Sequence, residues 1–80
     1  LMRFWAAFLG PHNVRANALI LGGMFRDHHP EFAAKNAALN MLGRMSKSGE
    51  YNGGVQFLLS DASSYMTGSC LVMDGGRTAL

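Results

Sequence analysis

Four successive apolar residues near the end of the chain, Cys70-Leu71-Val72-Met73, run into Asp74-Gly75-Gly76 without polar alternation. Strands covered on both faces read this way, and parallel sheets are where such strands occur. A second run, Ala18-Leu19-Ile20-Leu21, is also apolar on both faces and stops at Gly22-Gly23. No hairpin signal joins the two runs, and the residues between them carry helical periodicity. The strands are therefore expected to be parallel neighbours linked by a right-handed crossover. The chain reads as α/β, in the order helix, strand, helix, helix, strand.

Each element has its own local signature. Leu1, Phe4, Trp5, Phe8 and Leu9 mark one side of a helix already under way at the first residue, with no Ser, Thr, Asp or Asn ahead of it to cap the free N–H groups. The expectation is a truncated start. Gly10 is placed as the left-handed residue closing this helix, and Pro11 prevents its continuation. The first strand is expected over residues 14–21, with Val14, Ala16, Ala18 and Ile20 on one face and Arg15 near the surface, reaching solvent or a carboxylate. Pro30 suits the first position of a second helix, and Glu31 complements its dipole. Phe32 and the neighbouring alanines give this helix a small apolar face. Met41 and Leu42 are expected to pack the end of the segment, with Gly43 turning the chain.

The last helix carries Tyr51, Val55, Leu58 and Leu59 at i, i+4, i+7 and i+8, one stripe facing a core. Ser48 is its expected N-cap, and Glu50 falls in its first turn. Gly53 and Gly54 then lie inside the helix at a cost of about 1 kcal/mol each relative to alanine, which close approach of a second helix would offset. Ser60 and Asp61 end it. The connector that follows is held by Ser63, Ser64 and Thr67, with Tyr65 and Met66 tucked onto the core.

Composition narrows the function classes. The chain is 49% hydrophobic and only 15% charged over 80 residues, against roughly 25% charged in ordinary soluble domains. So small and apolar a chain calls for a cover, supplied by a second copy or by further polypeptide. A net charge of +2, from scattered Lys and Arg, gives no nucleic-acid footprint. No apolar run is long enough to span a membrane and no signal-peptide pattern opens the chain, so a soluble, cytoplasmic protein is expected. Cys70 is the single cysteine. It cannot form an internal disulfide, and its strand position suggests a buried structural thiol. Asp27, His28 and His29 have metal-ligating chemistry, but adjacent side chains rarely converge on one ion and no third spacing supports them. No metal is expected.

The runs Phe57-Leu58-Leu59-Ser60-Asp61 through Tyr65-Met66-Thr67-Gly68 to Met73-Asp74-Gly75-Gly76, Asn13-Val14-Arg15-Ala16-Asn17 to Gly23, and Leu42-Gly43-Arg44 with Glu50 closely resemble the C-terminal part of the short-chain dehydrogenase/reductase family. Order and rough spacing match over nearly the whole chain. The resemblance implies a single partial domain over residues 1–80, the truncated C-terminal portion of a Rossmann-like, doubly wound parallel sheet. It implies NAD or NADP as cofactor of the intact fold and an alcohol or carbonyl as substrate, with a weak leaning toward sugar or sugar-acid chemistry. Leu21, Gly22 and Met24 match the loop that lines the nicotinamide, and the region of Asp27, His28 and His29 matches the family's mobile lid over the substrate. Leu21 stands where the family has proline, and Arg26 where many members have a cofactor-contacting threonine.

The family's reaction uses a tyrosine whose pKa is lowered by a lysine four positions on. A tyrosine near pKa 10 does not serve as a general base at neutral pH. Here Tyr51 is followed by Val55 and Tyr65 by Ser69, so no catalytic residue is assigned. The glycine-rich fingerprint that seats a pyrophosphate is also absent. Two readings follow: a catalytically silent piece of an NAD(P)-dependent oxidoreductase that binds no cofactor by itself, or a homo-oligomeric assembly module contacting its copies through the helix and strand from Tyr51 to Gly76.

Overall fold

The computed structural model describes residues 1–23 and 30–79. In order these form α1 (Met2–Leu9), a 3-10 turn (Gly10–His12), β1 (Ala18–Leu21), α2 (Pro30–Ala38), α3 (Asn52–Leu59), a second 3-10 turn (Asp61–Ser63), β2 (Cys70–Met73) and a closing 3-10 turn (Arg77–Ala79). β1 and β2 pair in a two-stranded sheet. Gly68 N donates to Ala16 O at 2.8 Å, Ala18 N to Ser69 O at 2.9 Å and Gly22 N to Met73 O at 3.0 Å. Partners advance in the same direction along both segments, so the strands are parallel, as their unalternating apolar runs require.

The chain divides into two compact units, Leu1–Ile20 with Asn52–Val72 and Leu21–Tyr51 with Met73–Leu80. In the first unit β1 is shorter than expected. The ladder begins at Ala18 because polar side chains take over its work upstream. Asn17 Nδ2 donates to Met66 O at 2.9 Å, its Oδ1 accepts from Ser69 N at 3.1 Å, and Ala16 N donates to Thr67 Oγ1 at 3.1 Å. Among the described residues Arg15 meets no carboxylate. Its guanidinium donates to Ser63 Oγ, Met66 O, Leu58 O and Ser60 O over 3.0–3.4 Å, so it joins the last carbonyls of α3 to the connector. Carbonyls at a helix C-terminus carry partial negative charge and lack intrahelical donors, and a planar, multiply donating cation suits them.

Several local expectations are corrected in this unit. Gly10 stays in the right-handed helical region at φ −53°, and the left-handed residue is Asn13 at φ 62°. The clash that keeps a residue before proline out of the helical region involves its Cβ. Gly10 has none, so the helix tightens into a 3-10 turn through Pro11 and His12 before Asn, a residue that tolerates the left-handed region, ends it. The aromatic side of α1 is not its inner side. Phe4, Trp5 and Phe8 pack on one another, with centroids 5.5–6.2 Å apart, yet all are exposed, while Ala6 is buried. A Cβ built on Gly68 would stand 3.7 Å from the Ala6 methyl, an ordinary packing distance.

The helix α3 begins at Asn52, so Ser48 is not its N-cap and Gly53 and Gly54 occupy its first turn rather than its middle. Gly54 is buried, whereas Gly53 has open space around it. The stripe read as core-facing is largely open: Val55 is 43% and Leu59 81% exposed. Tyr65 is fully exposed instead of tucked inward, and Cys70 is exposed instead of buried. Strand β2 alternates exposed and half-buried residues, so it is not covered on both faces here. Ser60 behaves as expected, its Oγ accepting from Ala62 N and donating to Phe57 O as α3 ends.

In the second unit α2 opens at Pro30, as the fixed proline φ favours. Gly43 turns the chain at φ +70°. Met41 and Leu42 are exposed, although the Met41 side chain lies over Gly76, where an added Cβ would meet it at 2.8 Å. The buried apolar side chain of this unit is Met45.

Candidate functional site

The site is assembled in the second unit, at the carboxyl ends of the two strands. Leu21 is the last residue of β1 and is 49% exposed; Gly22 and Gly23 follow, both half-buried. Opposite them β2 ends at Met73 and passes into Asp74-Gly75-Gly76. A Cβ on Gly22 would come within 2.8 Å of the Asp74 Cα, and backbone cannot move aside cheaply. Glycine at 22 is thus required by the neighbouring chain end, whatever else the position does. Of the expected cofactor residues, Leu21 and Gly22 lie together on this edge, and Met24 lies outside the described residues, as do Arg26, Asp27, His28 and His29.

Gly23 is the point where a second layer attaches. Ser46 N donates to Gly23 O at 2.9 Å. A Cβ on Gly23 would meet Asn36 Oδ1 at 2.7 Å and Met45 Cε at 3.0 Å, so this residue too is held by its surroundings. A cavity of about 220 Å³ opens here, bordered by Gly23, Ser46, Tyr51, Met73, Asp74 and Gly75. Leu21 and Gly22 do not line it. Ser46 Oγ is buried with no hydrogen-bond partner among the described residues.

Two carboxylates organise the loops around this edge. Glu50 accepts from Arg44 Nη1 at 2.6 Å and Nη2 at 3.0 Å, and from Lys47 N at 2.6 Å. The bidentate Arg44 pair, followed by the Lys47 N–H, pulls the Glu50 carboxyl down to about 2. Asp74 accepts from Thr78 Oγ1 at 2.6 Å, Thr78 N at 3.0 Å and Gly76 N at 2.9 Å. The Thr78 hydroxyl, then the backbone N–H groups, lower its pKa as well. Asp74 is a loop-tying aspartate, as an Asp before Gly-Gly favours. Asn40 completes the set: its Oδ1 accepts from Gly43 N at 2.9 Å and its Nδ2 donates to Arg44 O at 2.9 Å.

The half-exposed Leu21 and the half-buried Gly22 and Gly23 stand at the carboxyl end of a parallel pair, the kind of place where open α/β sheets take ligands. Among the described residues no cluster of three or more His, Cys, Asp or Glu is arranged to hold a metal ion. Also among them, no helix is long and apolar enough to cross a membrane.

Residues 1–78 match the family profile described as enoyl-(acyl carrier protein) reductase. The 2,5-dichloro-2,5-cyclohexadiene-1,4-diol dehydrogenase of Sphingobium indicum is 40% identical over 88 residues, covering 100% of this chain and 35% of that protein. A short-chain dehydrogenase from Leptospira borgpetersenii, solved with bound NAD+, superposes with a TM-score of 0.88 at 36% identity, over 96% of this chain and 30% of that one. The chain belongs to the short-chain dehydrogenase/reductase family. The L-rhamnose 1-dehydrogenase (NAD(P)(+)) of Azotobacter vinelandii is a further relative, 33% identical over 95% of this chain and 32% of its own length. The chain thus spans about a third of the length of these family members. Both the α/β class and the Rossmann-type parentage expected from the resemblance hold.

The sequence pointed to Arg44 and Glu50 as a motif, but not to each other. It gave no sign of Ser46, whose neighbours are common residues without periodic pattern. Only the pairing of Ser46 with Gly23 brings that hydroxyl to the edge.

Proposed function

We propose that the chain is the C-terminal part of an NAD(P)-dependent oxidoreductase that moves a hydride between the nicotinamide and an alcohol or carbonyl. Leu21, Gly22 and Met24 line the nicotinamide in the complete protein. The observation that supports this reading is the parallel pairing that sets the half-exposed Leu21 beside Met73 and Asp74 at the carboxyl ends of the sheet. Relatives acting on a ring diol and on a sugar favour a hydroxylated ring as the substrate class. Work of this kind suits the cytoplasm.

By itself the chain of 80 residues carries neither Tyr-x-x-x-Lys nor a glycine-rich phosphate loop, so it is catalytically silent and retains no cofactor tightly. The test is steady-state oxidation of NADH and NADPH by the purified chain across a panel of ketoses, cyclic ketones and aldehydes. No turnover is the expected result. Measurable turnover overturns the silence, and activity regained on joining the chain to an N-terminal family segment supports the parentage.

A second reading is favoured by the exposed apolar residues of α3 and β2, among them Val55, Phe57, Leu59 and Val72. The chain then works as an assembly module, covering this surface with a second copy of itself. Sedimentation equilibrium decides between the readings, because a stable, folded monomer at micromolar concentration excludes the module.

A further inference from the structure

We infer that the Arg44–Glu50 ion pair is a positioning element for the Leu21–Gly23 edge, acting through Met45 and Ser46; this rests on the proposal that the edge receives the nicotinamide. The pair closes a short loop. Arg44 donates to both carboxylate oxygens of Glu50 and, through Nη1, to Met45 O at 3.2 Å, while Glu50 also accepts from Lys47 N. The residues enclosed by these bonds are Met45 and Ser46. Met45 is 7% exposed, its methyl lying 3.0 Å from where a Gly23 Cβ would stand, and Ser46 N donates to Gly23 O.

Apart from the packing of the Met45 methyl against Gly23, the links are hydrogen bonds of 2.6–3.2 Å. Fixing both ends of the loop leaves Met45 no freedom to withdraw, and a buried methionine is otherwise a flexible side chain that repacks easily. The Ser46 to Gly23 bond then sets the height of the residue following Gly22, whose own position is dictated by Asp74. Gly22 is fixed by the neighbouring chain end and Gly23 by the clasp. A surface ion pair of this exposure contributes little to global stability. Its consequence is local: the orientation of one peptide at the proposed cofactor edge.

The experiment compares the full chain with Glu50→Gln and Arg44→Lys, following amide hydrogen exchange at Ser46 and Gly68, Gly23 chemical shifts, and NADH affinity by fluorescence titration. Gln keeps an acceptor but not the charge, and Lys keeps the charge but not the planar fork. Ser46 exchange is expected to speed up about tenfold in Glu50→Gln and less in Arg44→Lys, with the Gly23 shift moving in the same rank order and Gly68 unchanged. Unchanged Ser46 exchange and Gly23 shifts in both variants overturn the inference, as does equal acceleration at Gly68, which marks a global effect. If Glu50→Gln does not fold, Arg44→Lys decides by the same readouts. NADH binding that weakens in step with Ser46 exchange supports the link to the cofactor. Weak or no NADH binding by the unaltered 80-residue chain is the result expected of it, and the exchange and shift data then decide by themselves whether the clasp sets Gly23.

Discussion

Gly22 and Asp74 approach so closely that a methyl group on the first would stand 2.8 Å from the Cα of the second. Gly22→Ala must push the two chain ends apart or strain the backbone, at a cost of about 1–3 kcal/mol. A urea denaturation series is expected to show a lower midpoint for this variant. Gly53→Ala makes the contrasting case, since open space surrounds that position and alanine favours the helix by roughly 1 kcal/mol. Its midpoint should rise or hold.

Arg15 is the cation that ties α3 to the connector. Arg15→Ala removes four donated bonds, and hydrogen bonds from a charged group contribute roughly 1.5–3 kcal/mol where the partners are withdrawn from water. The expected loss is about 2–3 kcal/mol in thermal or chemical denaturation. Arg15→Lys should recover only part, because an ammonium cannot span the same acceptors. Arg3→Ala on exposed α1 serves as the reference, with a change within about 0.5 kcal/mol.

The Ser46 hydroxyl is buried without a hydrogen-bond partner among the described residues. A polar group in that state costs free energy that alanine does not. Ser46→Ala is therefore expected to leave the melting temperature unchanged or raise it, while the Ser46 N–H bond to Gly23 persists in amide exchange. A clear loss of stability would show that the hydroxyl is bonded in solution.

Both organising carboxylates titrate below their ordinary range. Glu50 is held down to about 2 and Asp74 is also lowered. Depressed folded-state values mean that the stabilisation is present above the unfolded carboxylate range, roughly pH 4, and is lost as pH falls through the folded values. Carboxyl carbon shifts followed from pH 6 to pH 2 should place the Glu50 midpoint below the ordinary carboxylate range. Thr78→Val deletes the strongest bond to Asp74 and is expected to raise the Asp74 midpoint without moving that of Glu50.

How far the sequence reached can be judged residue by residue. The order of helices and strands was legible because periodicity is a local property, and the unalternating runs at 18–21 and 70–73 correctly implied parallel pairing. The Asp74 loop was legible too, since Asp before two glycines makes its bonds within a few residues. Arg15 was not, because its acceptors lie 43 to 51 residues away and nothing in the local pattern points to them. The Ser48 cap failed because α3 begins only at Asn52. The sequence marked the aromatic side of α1 without saying which side is covered, and it is Ala6, not the aromatic residues, that is withdrawn from water. At the candidate site, the family pattern singled out Leu21 and Gly22, and the structure places both at the end of β1, but the attachment of Gly23 to Ser46 required coordinates.

Ala6 and Met45 are the apolar residues most fully withdrawn from water among those described. Melting the chain on its own consequently wets little new hydrocarbon, and the heat-capacity increment of unfolding, which grows with such exposure, is small. The stability curve of the lone chain is flat and its transition broad. Covering the aromatic ridge of α1 and the open side of β2 would add to that increment and sharpen the transition.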